Sequence, residues 1–230
     1  MKISVVVPAY NEEKNIVRCL EALKNQTVKP YEIITSDGGS TDKTVELAKK
    51  YGKAVVAKKR GIAHGRNLGG FAAAGDIICF TDADCEPSPQ WLEAVEKAFV
   101  PGVVFVTGPV RAQTSSLMLR AVYWAVFSAF VPLLFFLGRP LTSGWNICCT
   151  REAFLKVNGF NEQLTTAEDL DFIAKIIKLG KSVYSPRAIV NTSTRREEKF
   201  GLFRLFLFHL KNGLKYVLFK KSANYYPDVR

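Results

Sequence analysis

Along the first hundred positions, short unbroken apolar runs alternate with longer segments in which apolar residues recur every three or four places. The run 3–7 is β-branched and interrupted only by Ser4, as suits a strand buried on both faces, and Pro8 ends it before a helix expected over 11–24. The same alternation predicts strands at 31–35, 54–57, 76–81 and 103–107, with helices at 41–52, 62–74 and 90–99 between them. A tight turn, Asp37-Gly38-Gly39-Ser40, separates the second strand from its helix. Strands alternating with helices imply an α/β fold, a Rossmann-like and mostly parallel sheet with helices on its faces. Further along lie a long apolar stretch at 121–137, a Gly-rich strand at 144–149, helices at 152–157 and 168–179, a strand at 188–191 and a basic aromatic tail. No linker interrupts this succession. We expect one domain over 1–196 with an apolar insertion near 117–138, and a helical tail over 197–230.

Composition supports a folded chain, with 48% hydrophobic and 12% aromatic residues and no low-complexity tract. Charge adds more. A formal net charge of +11 attracts anions: nucleic acid, anionic lipid headgroups or phosphorylated small molecules. No nucleic-acid reading motif or aromatic single-strand platform accompanies the charge, so nucleic acid is not an expected partner. The five cysteines form no C-x-x-C pair and read as reduced core residues. The apolar run at the N-terminus is too short for an export signal, which places the expected site on the cytoplasmic side.

In parallel α/β sheets ligands bind beyond the carboxyl ends of the strands, so the loops after Val7, Thr35 and Thr81 should converge on one crevice. The sharpest feature there is Asp82-Ala83-Asp84, directly after a strand. In extended chain, residues two apart point the same way, and two carboxylates so placed could share a hard divalent cation with phosphate oxygens. Alone, the pattern reads as readily as a solvated acidic turn. Asn11 and Glu12 occupy the neighbouring strand end, and Asp37 could meet a base or ribose, although a plain turn and helix cap would explain it too. Arg66 lies in the Gly-containing stretch 61–67, where a guanidinium could hold phosphate.

These segments together resemble family 2 of the inverting glycosyltransferases, whose catalytic domain has the GT-A fold. The resemblance rests on Val5-Val6-Val7-Pro8-Ala9-Tyr10-Asn11-Glu12, Asp37-Gly38-Gly39-Ser40-Thr41-Asp42, Gly65-Arg66-Asn67-Leu68-Gly69 and the segment 76–84. It continues through Gly144-Trp145-Asn146, Arg151-Glu152-Ala153-Phe154, Gly159-Phe160 and Glu168-Asp169-Leu170-Asp171, and so covers about residues 3–196. It implies that Pro8, Tyr10, Glu12 and Asp37 line the nucleotide site, that Asp82 and Asp84 form the metal motif, and that Asp169 is the catalytic base. The implied cofactor is Mn²⁺ or Mg²⁺, the implied donor a nucleotide-diphosphate sugar. Without the resemblance, Asp169 reads as an acid favoured at a helix N-terminus.

Arg196, in the pair Arg195-Arg196, resembles a late basic element that closes over the diphosphate in some relatives, although the Q-x-x-R-W form is absent. His209 is a weaker candidate for a third metal ligand, with a core or interfacial role as its alternative. The run 121–137 carries no charge and is bounded by Arg120 and Arg139. A single membrane crossing there would put Asp84 and Asp169 on opposite sides of the bilayer, so the segment should lie in the interface, re-enter, or pack on protein. In the tail, Arg204, Lys211 and Lys215 fall on one stripe of a helix over 200–219, which suits an anionic membrane surface; its apolar residues would equally suit the core or a dimer mate. The membrane reading makes the enzyme peripheral at the inner face of the cell membrane, with a polyprenyl phosphate or glycolipid as acceptor. The rival functions are a nucleotide-sugar-binding module without turnover and a nucleotidyltransferase.

Overall fold

The computed structural model describes residues 1–57, 59–138, 142 and 144–223; Arg139 and the tail residues 224–230 lie outside them. Ten strands are described: β1 (Ile3–Ala9), β2 (Glu32–Asp37), β3 (Lys53–Val56), β4 (Ile77–Phe80), β5 (Cys85–Pro87), β6 (Val103–Thr107), β7 (Val110–Gln113), β8 (Ile147–Thr150), β9 (Lys181–Tyr184) and β10 (Val190–Ser193). Seven form one sheet in the order β3-β2-β1-β4-β8-β6-β9. Only β8 runs against its neighbours β4 and β6, so the sheet is mostly parallel. The α/β architecture expected from the alternation is the one observed.

The period of two along the strands divides the core between the two faces of this sheet. Ile3, Val5, Val7 and Ala9 of β1, with Ile77 and Cys79 of β4, pack under α1 (Ile16–Lys24). Val6, Ile78 and Phe80 point the other way. On the first face α2 (Thr44–Ala48) contributes Ala48, while α3 (Ile62–Ala72) crosses the second face. The first face also receives α4 (Trp91–Ala98). At Gly69 a Cβ would collide with Val6 Cγ1, so this glycine sets how closely α3 approaches β1.

Two expected helices begin late. Asn11 adopts φ +51° and Glu12 donates its N–H to Thr44 Oγ1 at 2.8 Å, so the chain turns before α1 starts at Ile16. The same bond holds the start of α2, which spans Thr44–Ala48 rather than 41–52. The short strands β5, β7 and β9 were not expected. β5, β10 and β7 form a second, three-stranded sheet that carries the chain back beneath the carboxyl end of β4.

The apolar insertion forms one continuous helix of 20 residues, Leu117–Phe136. It consists of α5 (Leu117–Trp124), a π-helical stretch (Ala125–Phe130) and α6 (Val131–Phe136). Leu119, Tyr123 and Val131 are buried, while Met118, Trp124, Phe130, Leu133 and Phe136 are exposed. Next come α7 (Arg151–Lys156) and α8 (Glu168–Ile176), then α9 (Arg195–Phe200) and α10 (Leu202–Phe219). The domain limit expected at 196 falls inside α9. α10 docks through Leu205, Asn212 and Tyr216, whose hydroxyl donates to Asp171 Oδ1 at 2.9 Å.

Candidate active site

The site begins with two loops that fold against each other. Asn11 donates its N–H to Ser40 Oγ at 2.8 Å and accepts from Thr41 N–H at 2.9 Å, joining the loop after β1 to the loop after β2. Asp37 is wholly buried and shapes that second loop: its carboxylate accepts from Gly39 N–H at 2.9 Å, Ser40 N–H at 2.7 Å and the Ser40 hydroxyl. Pro8, Tyr10 and Glu12 line a cavity of about 760 Å³ at the carboxyl ends of the strands, together with Arg66, Asp82, Asp84, Asp169 and Arg196. Asp37 sits behind this wall, and its neighbours Ser36 and Gly38 reach it.

The Asp-Ala-Asp segment departs from the expected geometry. β4 ends at Phe80, and residues 82–85 form a turn closed by Cys85 N–H on Asp82 O at 3.0 Å, so the two carboxylates are not side by side on extended chain. Asp82 faces Arg66, whose Nη2 donates to Oδ1 at 3.2 Å, and Asp84 faces Arg195, whose Nη2 lies 2.9 Å from Oδ2. Burial, and then the charge of Asp82, push the Asp84 carboxyl up, while Arg195 and Arg196 pull it down. Two carboxylates on the wall of one cavity are nonetheless a hard-oxygen donor set. Among the described residues no three His, Cys, Asp or Glu side chains group as a metal cage, so the set fits an ion completed by diphosphate oxygens.

Arg66 is the centre of a second charged group. It is 3% exposed and bridges Asp82 and Glu168. A Cβ at Gly144 would overlap its guanidinium, so the backbone there passes against Arg66. Glu168 is buried, and desolvation and the charge of Asp169 push its carboxyl up to about 7 against the pull of Arg66. The structure thus places Arg66 among carboxylates, at the cavity wall. Asp169, the first-turn acid beside it, accepts from Gly144 N–H at 3.1 Å and from Leu170 N–H at 2.8 Å. Desolvation raises its carboxyl too. Ala167, at φ +60°, turns the chain so that both acids enter the first turn of α8.

Arg195 is the residue that sequence reasoning passed over in favour of Arg196. Its Nη1 donates to Glu12 Oε2 at 2.9 Å and its Nη2 to Glu12 Oε1, with Asp84 against the same nitrogen. Arg196 lines the same cavity. The signal for Arg195 was the dipeptide itself, and nothing local tells which of two adjacent arginines at a helix start reaches Glu12 and Asp84. His209 lines the cavity from α10 and faces the charge of Asp169. Val126, Phe127, Phe130 and Val131 of the apolar helix close the remaining wall.

A mostly parallel sheet with carboxylates and arginines gathered at its carboxyl edge defines an α/β protein built to hold an anionic ligand. Residues 4–155 match the family model described as Glycosyl transferase family 2, and the chain belongs to that family. It is 37% identical to Glycosyltransferase AglE of Haloferax volcanii over 119 residues, 47% of this chain and 39% of that protein. It is 28% identical to chondroitin synthase of Escherichia coli over 193 residues, 77% of this chain and 27% of that one. The chain therefore spans well under half the length of these two curated relatives.

Among solved structures, it resembles the mannosyltransferase PcManGT of Pyrobaculum calidifontis in complex with GDP-Man and Mn²⁺, with TM-score 0.65 and 22% identity, covering 92% of this chain and 65% of that one. It also resembles S. aureus TarS in complex with UDP-GlcNAc, with TM-score 0.65 and 20% identity, covering 84% and 58%. These likenesses confirm the GT-A fold.

Proposed function

We propose that the protein is a metal-dependent inverting glycosyltransferase that moves a sugar from a nucleotide-diphosphate sugar to an acceptor hydroxyl or phosphate. One observation carries the reading: Asp169, remote in sequence from Asp82 and Asp84, lines the same cavity as they do at the carboxyl ends of the strands. Asp82 and Asp84 would hold Mn²⁺ or Mg²⁺, which supplies neutralisation of charge on the departing diphosphate. The pairing of GDP-Man with Mn²⁺ in PcManGT and the UDP-GlcNAc of TarS support a donor of this class. Pro8, Tyr10 and the backbone over Asp37 bound the nucleotide end, with Glu12 behind them, and Arg196 with Arg195 faces the diphosphate.

Asp169 accepts the proton of the acceptor hydroxyl as the oxygen attacks the anomeric carbon, and the single displacement inverts that centre. Its two backbone N–H bonds fix the carboxylate, and desolvation makes it a stronger base than a surface aspartate. Arg66 and Glu168 hold the segment from which it projects. The apolar wall, Val126 to Val131, suits an acceptor with a hydrocarbon part, such as a polyprenyl phosphate or glycolipid. The exposed apolar faces of the 117–136 helix and α10 support peripheral contact with the inner face of the membrane.

The test is release of nucleoside diphosphate from a panel of nucleotide sugars, with Mn²⁺ or Mg²⁺ and with EDTA, in parallel with donor binding. We expect metal-dependent release from one donor, lost in Asp84→Ala and in Asp169→Asn. Donor binding without release under any acceptor would favour a binding module, and pyrophosphate release from a nucleoside triphosphate would favour a nucleotidyltransferase.

A further inference from the structure

We infer that Arg195 is a resident counter-ion of the metal site, which a divalent cation must displace from Asp84, so that metal alone binds weakly and metal with diphosphate binds well. The inference rests on the reading of Asp82 and Asp84 as metal ligands. Glu12 is 3% exposed and Asp84 9% exposed, and their charges face one guanidinium. Arg195 takes both oxygens of Glu12 and lies 2.9 Å from Asp84 Oδ2. That oxygen is one of the four that Asp82 and Asp84 together offer a cation. The guanidinium cannot lose its proton to make way, so it must swing.

The anchoring around Arg195 decides how it swings. Glu197 accepts from the Tyr123 hydroxyl at 2.7 Å, and Glu198 accepts from the Thr194 hydroxyl at 2.6 Å and from Thr114 at 3.3 Å. α9 is thus tied to Tyr123 and Thr114 through Glu197 and Glu198, and the motion belongs to the Arg195 side chain. An ion entering between Asp82 and Asp84 meets the Arg195 charge on the same carboxylate, an unfavourable like-charge pair until the guanidinium moves. A diphosphate relieves the conflict, because it offers the released guanidinium oxygens of its own while completing the ion's shell. Metal and diphosphate then favour each other's binding, and Arg195 is a positioning residue through which they do so.

The experiment measures Mn²⁺ binding to the full chain by the loss of the free-ion EPR signal, without nucleotide. Arg195→Gln should bind Mn²⁺ at least about fivefold more tightly than wild type, the low end of ordinary coupling between sites. Arg195→Lys, which keeps the charge, should return the affinity towards wild type. Because Arg195→Gln leaves Glu12 buried without that partner, the double variant Glu12→Gln/Arg195→Gln repeats the measurement with both charges removed, and it too should bind Mn²⁺ more tightly. Unchanged or weaker Mn²⁺ binding in both variants, with binding still abolished by Asp84→Ala, would overturn the inference and leave the metal site standing. Failure of wild type and variants alike to bind Mn²⁺, even with UDP or GDP present, would overturn both.

Discussion

At the scale of single residues, the site is governed by carboxylates whose charge is stabilised by arginines and opposed by burial. Glu168 and Asp169 are adjacent, and both are raised by desolvation, with Glu168 brought to about 7. A base must be ionised to act, so activity should fall as pH drops through a point above the ordinary carboxylate range. Protons lost from such a neighbouring pair belong to the pair, and removing one charge eases ionisation of the other. In Glu168→Gln the acid limb of kcat/KM should therefore move to lower pH; a limb that stays in place would separate Asp169 from the pair. Arg66 predicts a stability effect instead. Arg66→Met would leave Glu168 buried beside Asp169 with no cation, and breaking a buried pair in this way costs about 3–5 kcal/mol. Urea unfolding above pH 8 should report that loss, and the deficit should shrink as the pH falls to about 7 and Glu168 takes up a proton. The sign follows from a folded-state carboxyl titrating above its unfolded value, which makes the charged form a liability only at higher pH.

At the scale of elements, legibility in the sequence followed the locality of the forces. β1, β4 and β6 read correctly because strands buried on both faces need almost unbroken apolar runs, and that requirement lies within the strand. β5, β7 and β9 are three or four residues long with polar residues inside them, and their pairing partners rather than their pattern make them strands. The site divided in the same way. Asp82, Asp84 and Asp169 could be picked out by type and context, but the Arg66 bond to Glu168 spans 102 positions and the Arg195 bond to Glu12 spans 183. No local pattern encodes either. α10 illustrates a face half read. Its buried stripe of Leu205, Asn212 and Tyr216 docks on the protein, whereas Phe203, Phe206, Leu210, Leu214 and Val217 form an exposed stripe on the opposite side. Arg204, Lys211 and Lys215 are exposed between the two. Leu210→Glu on the outer stripe should change stability by less than about 0.5 kcal/mol, as surface substitutions do. It should nonetheless weaken flotation with anionic vesicles, because a helix binds a bilayer through its buried apolar area and its basic flank together. Unchanged flotation would remove this stripe from membrane contact.

At the scale of the whole molecule, the cavity is assembled from segments spread across the chain: the ends of β1 and β4, the helix α3, the first turn of α8, α9, α10 and the apolar helix 117–136. A ligand that touches several of them at once exists only while all are folded together, so its binding energy becomes stability of the entire chain. Binding to the native state alone adds about 2.7 kcal/mol when free ligand exceeds its Kd a hundredfold. For a chain of 230 residues, each 1 kcal/mol raises Tm by about 2–4 °C. The correct nucleotide sugar with Mn²⁺ should therefore raise Tm by about 5–10 °C under those conditions, and nucleotides of the wrong base should not. EDTA should remove most of the shift if the ion bridges Asp82 and Asp84 to the diphosphate, since the donor would then meet a carboxylate pair of its own sign. Asp84→Ala should lose the metal-dependent part while keeping its fold, because it removes surplus negative charge from a buried place and frees Arg195 of only one of its two carboxylate partners. A donor-induced shift that survives both EDTA and Asp84→Ala would mean that Arg66, Arg195 and Arg196 suffice to hold the diphosphate, and would move the electrostatics of the site from metal to arginine.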